Sequence, residues 1–127
     1  MWRLICGVVV SLAVWIAVVS LLDRSMRYGW HDYAAVEKAM TFTLAMMIAR
    51  LSESAISSLV SGYLAALVGR GGRVPLVAGV VLLLMFIPIH YSIWSRFPIW
   101  YHLTFLISLP LLSFLGGKLW SAKPATA

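Results

Sequence analysis

Charge is scarce in this 127-residue chain: Asp and Glu number 4, Lys and Arg 10, and charged residues make up 11% of the whole, against roughly 25% in soluble domains. With 62% hydrophobic residues and a mean hydropathy of +0.95, the deficit excludes an ordinary soluble domain and points to an integral membrane protein. Cysteine is nearly absent. The lone Cys6 excludes a disulfide framework or a Cys-based metal motif within the chain. Regularly alternating strands are missing, which excludes a transmembrane barrel. The net charge of +6 does not come from a basic patch, because the Lys and Arg residues stand singly between apolar runs, so a nucleic acid partner is not expected. No small-x-small cleavage site follows the first apolar run, which continues into Leu21-Leu22-Asp23-Arg24; that run reads as a span and not as a secretory signal. Leu4-Ile5-Cys6-Gly7 lacks the preceding hydrophobic stretch of a lipoprotein signal.

What remains is four long apolar stretches. The first, about residues 4–22, fits the roughly 20 residues that cross a hydrocarbon core of about 30 Å. Gly7 with Ser11 and Ala13 with Ala17 offer two shallow strips for a neighbouring helix. Residues 23–38 form the one long polar stretch, expected as a hydrated loop with Tyr28, Trp30 and Tyr33 at headgroup level. Asp32 suits an N-cap, and no breaker appears from there to Gly69. The second span, about 43–68, is therefore expected as the upper part of a long helix that projects beyond the bilayer core. Pro75 opens the third span, about 75–94, and Pro98 the fourth, about 98–117. Pro88 and Pro110 predict bends. The short Ser95-Arg96 link makes the last two spans an antiparallel hairpin with an aromatic tip. Residues 118–127 read as a short polar tail. The expected fold class is all-α: a single-domain, antiparallel, integral membrane four-helix bundle.

Four crossings place both ends of the chain on one side with Arg70 and Arg73, giving that side a modest excess of basic residues and predicting cytoplasmic termini.

The second span carries an unusual load. Projected at about 100° per residue, Thr43, Met47, Arg50, Ser54, Ser57, Ser61 and Ala65 fall within roughly 80°, while Ile56, Leu59, Val60, Tyr63 and Leu67 fall opposite. Arg50 and Glu53 are three apart, a spacing at which opposite charges can pair along a helix. Arg50, Glu53, Ser54, Ser57 and Ser61 are the candidate polar intramembrane site, read either as an ion- or proton-coupled centre or as an interfacial ion pair above a packing face. Gly62, Ala65, Gly79 and Gly116 are the candidate helix-packing positions. His31, His90 and His102 all fall toward one face of the membrane and are the candidate ligands for a metal or haem. Their spacing is not distinctive, and interfacial or capped histidines are the preferred reading. No cofactor is expected. Many serines are present, but no His with a nearby acid is placed to activate one, so no enzymatic activity is expected.

Ser61-Gly62-Tyr63-Leu64-Ala65-Ala66, Trp100-Tyr101-His102-Leu103 and Gly116-Gly117-Lys118-Leu119 carry a resemblance over most of the chain to uncharacterised small bacterial four-span membrane proteins. The resemblance implies the bacterial inner membrane and four crossings, with no assigned activity. In size and span count the chain is also similar to the small multidrug transporters, but their essential glutamate lies in the first span, whereas Glu53 lies in the second beside an arginine. The sequence thus predicts a structural or accessory bundle protein in contact with membrane lipids, as a homodimer or part of a larger membrane complex. A small proton- or ion-coupled transporter using Arg50 and Glu53 is the alternative.

Overall fold

A computed structural model describes residues 1–121. α1 (Trp2–Gly29) leads through α2 (His31–Val36) to α3 (Leu44–Gly69). α4 (Arg73–Ser92) and α5 (Ile99–Ser121) are joined by a single 3-10 turn at Trp94–Arg96. α1, α3, α4 and α5 are each long and apolar enough to cross a membrane, and no strand occurs among the described residues. This is a multi-pass, all-helical bundle, as the hydropathy requires: in lipid every backbone N–H and C=O must be bonded internally. α3 is central and packs most extensively on α1 and α5.

Two boundaries differ from the sequence expectation. α1 does not stop at residue 22. It runs 28 residues, about 42 Å at 1.5 Å per residue, so α1 is overlong as well as the 26-residue second span, α3. Polar side chains do not break a helix. Here they reinforce it, since Asp23 and Arg27 pair at 2.7 Å across one turn and Ser25 Oγ donates to the carbonyl of Leu21. The helix ends only at Gly29, before the extended Trp30, and the N-cap of α2 is Trp30, with Asp32 in the first turn.

The continuous helix expected from Asp32 to Gly69 is also interrupted. The chain turns at Met40, whose φ of 57° is left-handed, and α3 begins anew at Leu44. Thr43 caps it by accepting a hydrogen bond on Oγ1 from the Met46 N–H at 3.3 Å. α3 ends at Gly69 as predicted, with Arg70 in the left-handed conformation at its C-cap. Pro88 and Pro110 lie inside α4 and α5, which continue through them. Of the expected tail, Lys118 to Ser121 belongs to α5; the rest, Lys123 included, lies outside the described residues.

The bundle has two unlike ends. At the Gly69–Arg73 end, Ala65, Val74 and Ala78 form a core of small side chains with Leu4 and Val8. Toward the α4–α5 turn, Trp15, Leu82, Phe105 and Leu109 pack with Leu51, Phe86 and others. All four candidate packing positions are interior. A Cβ on Gly62 would strike the backbone of Ser113, one on Gly116 the backbone of Leu59, and one on Gly79 the backbone of Leu109 and Pro110; Ala65 is fully buried. Gly7 and Ser11 are buried as their spacing predicted, and Trp15 continues their stripe, whereas Ala13 and Ala17 are exposed. Small residues are used where backbones approach most closely, as expected where dispersion contacts hold helices together.

Candidate functional site

The serine strip of α3 faces inward. Ser54, Ser57 and Ser61 are buried, and the buried face is wider than projected, taking in Glu53, Ser58, Gly62 and Ala66. Residues buried in adjacent pairs at every fourth position are what a helix held between α1 on one flank and α5 on the other must show. Ile56, Val60 and Leu67 are exposed as predicted. Leu59 and Tyr63 are only half-exposed, because α5 approaches that side through Gly116. Much of the strip is structural: Ser57 Oγ donates to the carbonyl of Glu53 at 2.7 Å, Ser61 Oγ to that of Ser58, and Ser58 Oγ accepts from Trp15 Nε1 at 3.1 Å. Ser52 is exposed, and its Oγ donates to the carbonyl of Ile48.

Above this strip the two charges of α3 part company. Arg50 forms no ion pair with Glu53. Its Nη1–H donates to the Tyr33 phenol oxygen at 2.8 Å, its Nε–H to that of Tyr101 at 3.2 Å, and its guanidinium lies 4.7 Å from the centroid of the Phe42 ring. Tyr33 in turn donates to Asp23 Oδ1 at 2.6 Å, which itself stands 4.0 Å from Arg50 Nη1. Asp23 also holds Arg27, and Arg27 reaches Glu37 at 2.6 Å. The α1 extension and α2 thus draw Arg50 upward and compensate it there. Burial, and then the bond to Asp23, push the Tyr33 phenol above the usual tyrosine range, so it stays neutral and able to donate.

Glu53 is left behind. It is 6% exposed, and its Oε1 is buried without a hydrogen-bond partner among the described residues. It borders a cavity of about 280 Å³ between α1, α3, α4 and α5. Asp23, Arg50 and Ser20 supply the other polar atoms of its wall, and Trp15, Phe86, Tyr101 and Phe105 the aromatic ones. The aromatic wall is continuous: Trp15 to Phe86 is 4.9 Å between centroids, Phe86 to Phe105 5.2 Å, and Phe105 to Tyr101 6.5 Å. Over its outer end runs a stack of rings, Trp30–Tyr33–Phe42–Phe97–Tyr101, with successive centroids 4.4 to 6.1 Å apart.

The structure brings two of the three histidines together. His90 Nδ1 and His102 Nδ1 are 2.7 Å apart, and His102 Nε2 lies 3.1 Å from the carbonyl oxygen of Trp94. A carbonyl can only accept, so His102 carries its proton on Nε2; with both rings neutral, its bare Nδ1 then accepts from His90 Nδ1–H. The Nδ1 pair cannot flank an iron, whose two axial nitrogens, each about 2 Å away, would stand roughly 4 Å apart. His31 is exposed, and no group of three metal-ligating side chains forms among the described residues. The three candidate ligands therefore do not make one site.

No sequence pattern marks Asp23 and Tyr33, which fall in the polar stretch at 23–38, or Tyr101, which falls at the aromatic hairpin tip. A signal existed for Trp15, since tryptophan prefers the membrane interfaces and one near the middle of a span must satisfy an indole N–H. No family model, curated protein or solved structure matches the chain.

Proposed function

We propose that this chain is a multi-pass protein of the bacterial inner membrane, with both termini in the cytoplasm, that holds a small polar solute in the pocket beside Glu53 as a carrier and not as an enzyme. One observation carries the reading: a carboxylate oxygen buried without a partner at a cavity of about 280 Å³. A buried charge is expensive unless it is compensated, and a purely structural bundle would have little reason to keep Glu53 where an apolar residue would pack.

The structural or accessory reading has the second span pack centrally through its small face. That face is consumed within the chain, by Gly62 against Ser113 and Gly116 against Leu59, so it explains the fold. The exposed surface of α3, α4 and α5 is apolar and suits lipid. The transporter reading is kept with altered chemistry: Arg50 and Glu53 act as separate groups, one compensated and one free.

The test is solute access in intact cells. In a Cys6→Ser background, Val19→Cys at the half-buried pocket wall should react with a membrane-impermeant thiol reagent added from outside, while Ala17→Cys, at similar depth on the exposed side of the same helix, should not. If Val19→Cys is as inert as Ala17→Cys, the pocket is closed to water and the carrier reading falls.

A further inference from the structure

Resting on the solute-binding reading of the same pocket, we infer that its ligand is a small organic cation, an aromatic or alkyl ammonium of about ten non-hydrogen atoms, held by Glu53. The size follows from scale, since a cavity of about 150 Å³ accepts benzene and this one encloses about 280 Å³.

The charge follows from what each wall group still lacks. Asp23 is engaged by Arg27 at 2.7 Å and by the Tyr33 hydroxyl at 2.6 Å. Arg50 is engaged by Tyr33, Tyr101 and the face of Phe42. Those two opposite charges, linked through Tyr33, leave the wall without excess charge at its outer end. Among the charged groups of the wall, Glu53 is the one left with an unsatisfied buried oxygen. The missing partner is therefore a positive charge or a hydrogen-bond donor. The apolar part of the wall selects between them: Trp15, Phe86 and Phe105 present aromatic surface, which attracts a cation through the ring quadrupole and repels an anion. A desolvated ammonium between a carboxylate and aromatic rings gains from both at once, whereas a neutral donor gains only the hydrogen bond.

Charge selectivity separates this from the underlying reading. Full-length protein in nanodiscs of zwitterionic phospholipid is titrated calorimetrically with benzyltrimethylammonium and with benzylsulfonate, two probes of equal heavy-atom count and opposite charge. Benzyltrimethylammonium should bind saturably at one site per chain, and benzylsulfonate should not saturate. Glu53→Gln, which keeps the side-chain shape and removes the charge, should weaken the cation by at least about tenfold, because the probe carries no N–H and is held by the carboxylate through charge attraction in a site of low dielectric. The wild-type comparison needs no variant, so a folding defect in Glu53→Gln cannot obscure it. Benzylsulfonate binding as tightly as the cation, or neither probe saturating, overturns the cation assignment; with Val19→Cys reactive, the pocket reading survives either result. Unchanged cation affinity in Glu53→Gln overturns the assignment to Glu53.

Discussion

Arg50 donates to the Tyr33 phenol oxygen at 2.8 Å, and because Tyr33 passes its own proton donor on to Asp23 at 2.6 Å, three helices share one polar network. Tyr33→Phe removes both bonds and leaves Asp23 and Arg50 facing each other at 4.0 Å with nothing between. It should destabilise the bundle by about 1–3 kcal/mol, read as the unfolding midpoint in mild detergent. Tyr101→Phe removes one bond from Arg50 and should do less. The network also makes a pH prediction. The folded-state pKa of Tyr33 is raised, so its contribution is complete below the unfolded tyrosine value of about 10 and is lost as pH rises through the higher folded value. Wild type should therefore lose stability above about pH 10 more steeply than Tyr33→Phe.

The seams between α3 and α5 allow a direct test of packing. Gly62→Ala and Gly116→Ala each place a methyl against backbone that cannot yield as a side-chain tip would, and each should cost about 1–3 kcal/mol. Gly29→Ala, where a Cβ meets nothing within 4 Å, should instead be neutral or raise the midpoint through better helix propensity.

What the sequence made legible, and what it hid, divides along a physical line. Hydropathy located all four crossing helices, because the bilayer imposes a length that a sliding count can find. Helical periodicity placed Ser54, Ser57 and Ser61 inside, because one face of a helix is fixed by 3.6 residues per turn. The Arg50–Glu53 pair failed because spacing permits a contact without selecting it. Arg50 had two phenols and Asp23 within reach, all supplied by segments distant in sequence, and a long guanidinium goes where most acceptors lie. The polar stretch at 23–38 failed because hydrophilicity signals contact with water and says little about helicity. Asp23 and Arg27, four apart, support the very helix that their polarity seemed to end.

His90 and His102 make a prediction readable without any variant. The carbonyl of Trp94 fixes His102 as the Nε2–H form, and the 2.7 Å contact then fixes His90 as the Nδ1–H form. Nitrogen-15 spectra of selectively labelled protein should show one ring of each tautomer in the neutral state. Trp94 supplies the acceptor from its backbone, and its ring stacks on His102 at 4.4 Å between centroids, so Trp94→Phe, which keeps an aromatic ring there, should leave the pattern intact. His102→Phe should release His90 from it, since a phenyl ring offers no accepting nitrogen. Two identical tautomers in wild type would contradict the assignment.

The C-cap of α3 holds a conformational penalty that can be measured. Arg70 sits at φ 54° and ψ 42°, a region costing about 1–2 kcal/mol for a residue with a Cβ, in a stretch where glycine stands at 69, 71 and 72. Its N–H donates to the carbonyl of Ala66 at 2.8 Å, so the backbone geometry is the one a terminal glycine ordinarily supplies. What keeps arginine there is charge, since a cation at a helix C-terminus opposes the negative end of the dipole. The two contributions separate by substitution. Arg70→Gly should raise the unfolding midpoint, by about 0.5–1 kcal/mol after the lost dipole interaction is deducted. Arg70→Ala keeps the Cβ strain while losing the charge, and should be less stable than wild type. A glycine variant no more stable than the alanine variant would place the penalty elsewhere.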